Sequence, residues 1–205
     1  MEYKYKLDTD GTIEYYEKNA EEFVSSTINA DVAGLYKHFE KYVLPECCIL
    51  DLGCGSGRDS KYFVERGYNV VAMDPSPAMC AKTKEIANVP VFLMKAEELS
   101  FKDKFDAIWA CASLLHVSRK NMQETMLRIS QALKQGGICY CSWKYGDNDR
   151  VIEGRYFADY TEELLKGLLK KIDVLEIIEI WNTHDVRKDR YSQKWLNVLL
   201  RKISE

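Results

Sequence analysis

The residues whose types and spacing point to chemistry begin at "ILDLGCGSGRDS", positions 49–60. An apolar run there ends in Asp51, and glycines follow at 53, 55 and 57. Alternate glycines let a backbone turn sharply and let a ligand approach with no Cβ in the way. Asp74 ends a second apolar run in "NVVAMDPS". A carboxylate at such a strand end can accept from both hydroxyls of a ribose, which suits any adenosine cofactor. The nicotinamide pattern G-x-G-x-x-G is not met, because Arg58 stands where its third glycine belongs. Asp51 would repel a pyrophosphate but attract a cationic amino group or a sulfonium. A second group is cationic: Lys144, Arg150 and Arg155, then Arg187 and Arg190, interleaved with Tyr145, Tyr156 and Tyr191. Bidentate arginine is suited to a carboxylate or phosphate. Asp147, Asp149, Asp185 and Asp189 stand among these cations, so solvated loop charge is the competing reading.

The elements that position these residues follow from periodicity. Residues 14–42 read as helical, with Phe23, Val24 and Ile28 at helical spacing and a break near Asn29–Asp31. Strands are expected over 47–52, 69–73, 91–94, 105–110 and 138–143. Helices are expected over 58–66, 76–87, 121–133 and 161–171. Pro77 suits a first helical turn, Gly67 a helix end, and Thr161 an N-cap. Two late strands, 174–181 and 193–201, are joined by a link too short for a crossover, so they should be antiparallel. Alternating strands and helices imply an α/β fold: a Rossmann-like, doubly wound, mixed seven-stranded sheet, last strand antiparallel, helices on both faces. Ligands of such sheets bind beyond the carboxyl ends of the strands. A parallel fifth strand delivers Lys144 to that end, and the last two strands meet there. Loops 144–157 and 182–192 should therefore converge beside the first glycine turn.

The chain has 205 residues, 46% hydrophobic and 30% charged, with a net charge of −3, which suits a single domain with its own core. Neither nucleic acid nor an anionic membrane is signalled as partner. Residues 1–11 have no apolar stretch of the kind a signal peptide carries, and no run approaches a membrane span. The seven cysteines include no C-x-x-C pair, so reduced thiols in a cytoplasmic protein are expected, with no metal site. Cys139 and Cys141 should share one face of a strand. His38 and His184 are read as surface residues and Trp143 as core.

In order along the chain, "ILDLGCGSGRDS", "VVAMDPSPAMC", "FDAIWACASLLHV" and "ALKQGGICYCSWKYG" resemble the successive motifs of class I S-adenosylmethionine-dependent methyltransferases. The likeness runs over about residues 14–202 and is greatest to small bacterial tellurite-resistance-like and general methyltransferases. It implies that Asp51 contacts the methionine amino group directly or through water, and that Gly53, Cys54 and Gly55 lie against the methionine portion. It places Arg58 near the methionine carboxylate, Asp74 and the adjoining Pro75 at the ribose, and Met79 on the adenine. Lys95 stands where many relatives carry an adenine-binding Asp, so that contact passes to the Ala96 backbone or the Glu97 side chain. Ala110 and Cys111 line the methionine side through backbone groups. The segment over about 1–44 resembles a helical cover, with Tyr15 or Tyr16 over the sulfonium; packing on the core is the other reading of those rings.

His116, after the fourth strand, is the candidate catalytic base, with a structural loop histidine as the alternative. Lys144, Tyr145, Arg155, Arg187 and Arg190 are the candidate acceptor-binding residues. The expected activity is methyl transfer from S-adenosylmethionine to a small anionic acceptor at oxygen, releasing S-adenosylhomocysteine, by a monomer or homodimer. The alternatives are a peptide- or RNA-modifying methyltransferase and a non-catalytic cofactor-binding protein. The sequence has neither an Asn-Pro-Pro-Tyr after the fourth strand nor a Pro-Cys nucleophile.

Overall fold

The structure is a computed structural model that describes residues 10–187 and 190–204. Asp189 and the N-terminal residues 1–9 lie outside the described residues. Seven strands form one sheet: β1 (Cys48–Leu52), β2 (Asn69–Asp74), β3 (Val91–Leu93), β4 (Phe105–Ala110), β5 (Leu133–Lys144), β8 (Leu175–His184) and β9 (Lys194–Lys202). Their order is β3-β2-β1-β4-β5-β9-β8. The pairs from β3 to β5 are parallel, and β9 runs antiparallel to both β5 and β8.

Successive strand residues alternate between two cores. Leu50, Ile108, Cys139 and Cys141 face one side of the sheet, with Met122, Met126 and Ile129 of α6 (Arg119–Ala132) and Leu165 of α7 (Glu162–Leu169). Ile49, Ala107, Trp109 and Tyr140 face the other, with Tyr36 and Phe39 of α3 (Ala33–Glu40) and Phe63 of α4 (Arg58–Glu65). The period of two thus presents both faces to helices. Cys139 and Cys141 share a face with their Sγ atoms 3.4 Å apart. Helix α5 (Pro77–Ala87) opens as its sequence suggests: Pro77 enters its first turn and Ser76 Oγ accepts from the Met79 N–H at 3.1 Å. Thr161 caps α7 in the same way.

Three local expectations change. The helical region 14–42 is three helices, α1 (Asp10–Lys18), α2 (Ala20–Thr27) and α3, because the chain turns at Asn19 as well as before Ala33. The Lys134–Gly137 stretch, between the expected helix 121–133 and strand 138–143, lies within β5 (Leu133–Lys144). Leu133 pairs with Phe105 and Ile138 with Ala107, so the intervening residues bulge within β5. Residues 149–158 form a hairpin rather than a loop: β6 (Asp149–Ile152) and β7 (Arg155–Ala158) pair antiparallel. Its turn has Glu153 at φ 52° and Gly154 at φ 79°, the left-handed pair that a two-residue hairpin needs. Among the described residues, no helix is long and apolar enough to cross a membrane.

Candidate functional site

One cavity of about 960 Å³ lies beyond the carboxyl ends of the parallel strands. Its wall takes in Gly53, Cys54, Gly55, Arg58, Asp74, Pro75, Met79, Ala96, Glu97, Cys111 and His116. At Gly53 (φ 78°) a Cβ would fall 2.3 Å from the Ser113 Cβ, and at Gly57 (φ 77°) one would fall 2.9 Å from the Thr83 backbone. The space those glycines leave is used by the protein's own neighbours, so the turn packs against the loop after β4 and against α5. The Gly53 and Cys54 amides donate to the Met73 carbonyl at 2.8 and 3.0 Å.

Asp74 sits at the tip of β2. Its Oδ1 accepts from the Ser76 amide at 2.9 Å and its Oδ2 from the Gly55 amide at 3.0 Å. Burial outweighs these two bonds and pushes its pKa up to about 6. Asp51, expected to contact the methionine amino group directly or through water, is not among the residues of the cavity wall. It lies beneath the glycine turn, 2% exposed, and accepts from Ser60 Oγ at 2.6 Å. Burial, and Asp59 nearby, push its carboxyl up.

The carboxylate that does line the cavity is Asp59, which the motif reading passed over. It accepts two bonds from Arg58, at 2.6 and 2.9 Å, one from Tyr36 Oη at 2.5 Å and one from Trp109 Nε1 at 2.9 Å. Burial alone would raise its pKa; the Arg58 charge and these donors outweigh it and hold the group below the ordinary range. Asp59 thereby locks the guanidinium of Arg58 at the cavity wall. The adjacency of an arginine and an acid was the available signal, but Tyr36 and Trp109 arrive from α3 and β4, far away in sequence.

The N-terminal helices supply another wall. Tyr16 and Thr12 of α1 and Phe23 of α2 line the cavity, whereas Tyr15 points to the ring contact with Arg155, 3.9 Å from the guanidinium carbon. Tyr16 Oη lies 2.9 Å from His116 Nε2, and His116 Nδ1 lies 2.6 Å from the Tyr156 carbonyl. A carbonyl can only accept, so His116 carries its proton on Nδ1, and Nε2 accepts from the Tyr16 hydroxyl. Burial pushes His116 down to about 4, against the hydrogen bond to Tyr156 that raises it. Both nitrogens are engaged, so His116, the expected base, holds Tyr16 at the cavity wall in this structure.

The cationic loops converge as their topology requires. Lys144, Arg155, Arg187 and Arg190 all line the cavity. Arg155 pairs with Glu153 at 2.6 Å, and its buried Nε has no hydrogen-bond partner among the described residues. Arg187 pairs with Asp185 at 2.6 Å, and burial of that acid is outweighed by the pairing, which lowers it. Arg150 pairs with Asp159. Tyr145 falls off the wall: its ring lies under Lys194, 4.2 Å from the centroid, because it steps past the end of β5. Ala110 is also fully buried behind the wall, at the end of β4. His38 is not a bare surface residue; it is 2.6 Å from Glu179 and stacks on Trp181.

A family model described as "Methyltransferase domain" matches residues 49–137. A relative named "Probable S-adenosyl-L-methionine-dependent methyltransferase TehB", from Haemophilus influenzae, is 24% identical over 207 residues, covering 95% of this chain and 71% of that one. The family match and this likeness support a class I S-adenosylmethionine-dependent methyltransferase. Among solved structures, Burkholderia thailandensis 1,6-didemethyltoxoflavin-N1-methyltransferase, with bound 1,6-didemethyltoxoflavin and S-adenosylhomocysteine, superimposes with a TM-score of 0.74. The two share 21% identity over 97% of this chain and 88% of the other. The [4+2]-cyclase SpnF shares the fold at a TM-score of 0.73 and 16% identity, over 94% of this chain and 96% of the cyclase. Fold alone therefore hosts more than one chemistry; the motif-bearing match over 49–137 carries the methyltransferase assignment. S-adenosylmethionine is the cofactor of this methyltransferase, and its wall suits that group: Ser113 Oγ is buried at the cavity with no partner among the described residues, and the Asp74 carboxylate stands on the wall.

Proposed function

We propose that this methyltransferase methylates a small anionic acceptor at oxygen. The observation carrying the proposal is the convergence of Lys144, Arg155, Arg187 and Arg190 on the same cavity as the glycine turn and Asp74. A volume of about 960 Å³ suits one cofactor and one small acceptor. Bound S-adenosylmethionine supplies an activated methyl group; the chain supplies position and charge. Asp74 and Pro75 hold the ribose, and Met79, Ala96 and Glu97 border the adenine. Gly53, Cys54, Gly55 and Cys111 flank the methionine portion, with Arg58, fixed by Asp59, at its carboxylate. Asp51 acts from behind the turn through Ser60. The chain is read as one domain in which α1 to α3 cover the site, Tyr16 being the aromatic face of that cover.

Arg155 and Arg187 are the acceptor's anion-binding pair. Incubating cell extract with methyl-labelled S-adenosylmethionine and following the label by mass spectrometry identifies the acceptor, which is expected to carry a carboxylate or phosphate. A neutral labelled product would remove the anionic reading. Arg155→Ala and Arg187→Ala should each raise acceptor KM at least about tenfold with cofactor Kd unchanged, the scale of a lost charge-assisted hydrogen bond.

A further inference from the structure

At the Lys144 end of the cavity, His116 is engaged by both Tyr16 and Tyr156. Asp59 is saturated by Arg58, Tyr36 and Trp109; Glu153 and Asp185 are each tied to an arginine. Burial pushes Tyr16 and Cys111 up to about 12, too weakly acidic to be ionised near neutrality. Lys144 differs from all of these. Its ammonium has no carboxylate or carbonyl partner among the described residues and lies 3.9 Å from the centroid of the Phe157 ring. It ends β5, two residues beyond Ser142. Ser142 Oγ accepts from the Ala112 amide at 2.8 Å, which ties that point of β5 to the loop leaving β4. Two strand residues span roughly 7 Å, so Lys144 stands within reach of an acceptor lying over Cys111 and Ala112.

We infer that Lys144 is the general base, accepting the proton of an acceptor hydroxyl as it is methylated. This rests on the anionic-acceptor reading only in that the arginines, not Lys144, hold the anion. As the acceptor oxygen bonds the methyl carbon and the carbon–sulfonium bond breaks, the hydroxyl proton passes to the Lys144 lone pair. The products are a methyl ether, a neutral thioether and an ammonium. The surroundings shift Lys144 toward the free amine. Half-burial and then Arg150 of β6, Arg155 of β7, and Arg190 and Arg187 of the β8–β9 loop push Lys144 down to about 8. Glu153, Asp159 and Asp185 are each paired to one of these arginines, and His116 near Lys144 is neutral. The free-amine fraction rises with pH through that value, so kcat should be half-maximal near pH 8 and level off about one pH unit higher.

The first test needs no acceptor. The protein is reductively methylated with 13C-formaldehyde, and its lysine signals are titrated with saturating S-adenosylhomocysteine, Lys144→Arg assigning the signal. Lys144 should titrate at least about one pH unit below the other lysines. A midpoint alongside theirs overturns the assignment. Benzoate, as a carboxylate probe, is then titrated into wild type and Lys144→Arg. Equal binding to both supports the arginines as the anion site. Binding to neither defeats the anionic-acceptor reading and leaves Lys144 to be judged by its own titration. On whichever of 4-hydroxybenzoate, salicylate and lactate the enzyme methylates, Lys144→Arg should cut kcat at least about 100-fold, leave KM within about threefold and flatten the pH rise. Lys144→Met, which relieves the crowded positive cluster, should lose the same kcat. Wild-type kcat in Lys144→Arg overturns the proposal.

Discussion

Protonating His116 in place breaks its acceptance from Tyr16 and buries a charge between Arg155 and Lys144, so its titration acts on stability. Its pKa falls from an ordinary 6.5 to about 4 in the folded protein. The unfolded chain therefore binds more protons between those values, and stability is lost as pH falls from about 6.5 to about 4. Urea unfolding across that window should show this component in the wild type and its absence in His116→Gln. Asp74 titrates higher, at about 6, because burial dominates its environment. Affinity for S-adenosylhomocysteine should be level above about pH 6 and fall below it, as the acceptor of ribose hydroxyls is protonated. Asp74→Ala should weaken binding at least about tenfold, or roughly 1.4 kcal/mol, by calorimetry; unchanged affinity would refute the ribose role. The places of Asp74 and Arg58 on the wall were legible because one ends β2 and the other opens α4 after the glycine turn, each in a spaced motif. Asp59, equally buried in function, was not, since its donors Tyr36 and Trp109 come from other elements.

Helix α1 is tied down on two sides of the cavity. Thr12 Oγ1 accepts from the Tyr156 amide of β7 at 2.9 Å, and Glu17 accepts from the Ala78 amide at 2.9 Å and from Ser76 Oγ. Glu17 thus meets the open N-terminus of α5, where a carboxylate is favoured by unpaired N–H groups. A charged hydrogen-bonded group of this kind contributes about 1.5–3 kcal/mol. Glu17→Ala should speed amide exchange across α1 and weaken S-adenosylhomocysteine binding about three- to tenfold. Unaltered exchange would show that α1 is held by its apolar face alone. The hairpin β6–β7 was missed as an element because its strands are four residues each and interrupted by charge. The alternation around Glu153-Gly154 was the signal, and it is what turns Arg155 into the cavity opposite Ile152.

At the scale of the molecule, the N-terminal helices, the glycine turn and the hairpin all border one cavity. S-adenosylhomocysteine at about 100 times Kd should stabilise by about 2.7 kcal/mol, a Tm rise of roughly 5–11 °C for a chain of this size. A melting curve that does not move would exclude binding to the native state. The core should answer separately: Phe63, fully buried among Tyr36, Phe39 and Trp109, should cost about 3–5 kcal/mol on truncation to Ala, read by denaturant midpoint. The parallel order, the antiparallel last strand and the turn beyond β1 were written locally, in runs of period two closed by Gly, Pro and Asp. Those signals act over a few residues and survive without a partner. The histidine's tautomer, the burial of Asp51 behind Ser60, the choice of Tyr16 over Tyr15 and the lack of a carboxylate partner for Lys144 among the described residues were decided only by tertiary structure. Each depends on which distant group arrives within about 3–4 Å, and desolvation and Coulomb interactions are set by that meeting rather than by spacing along the chain.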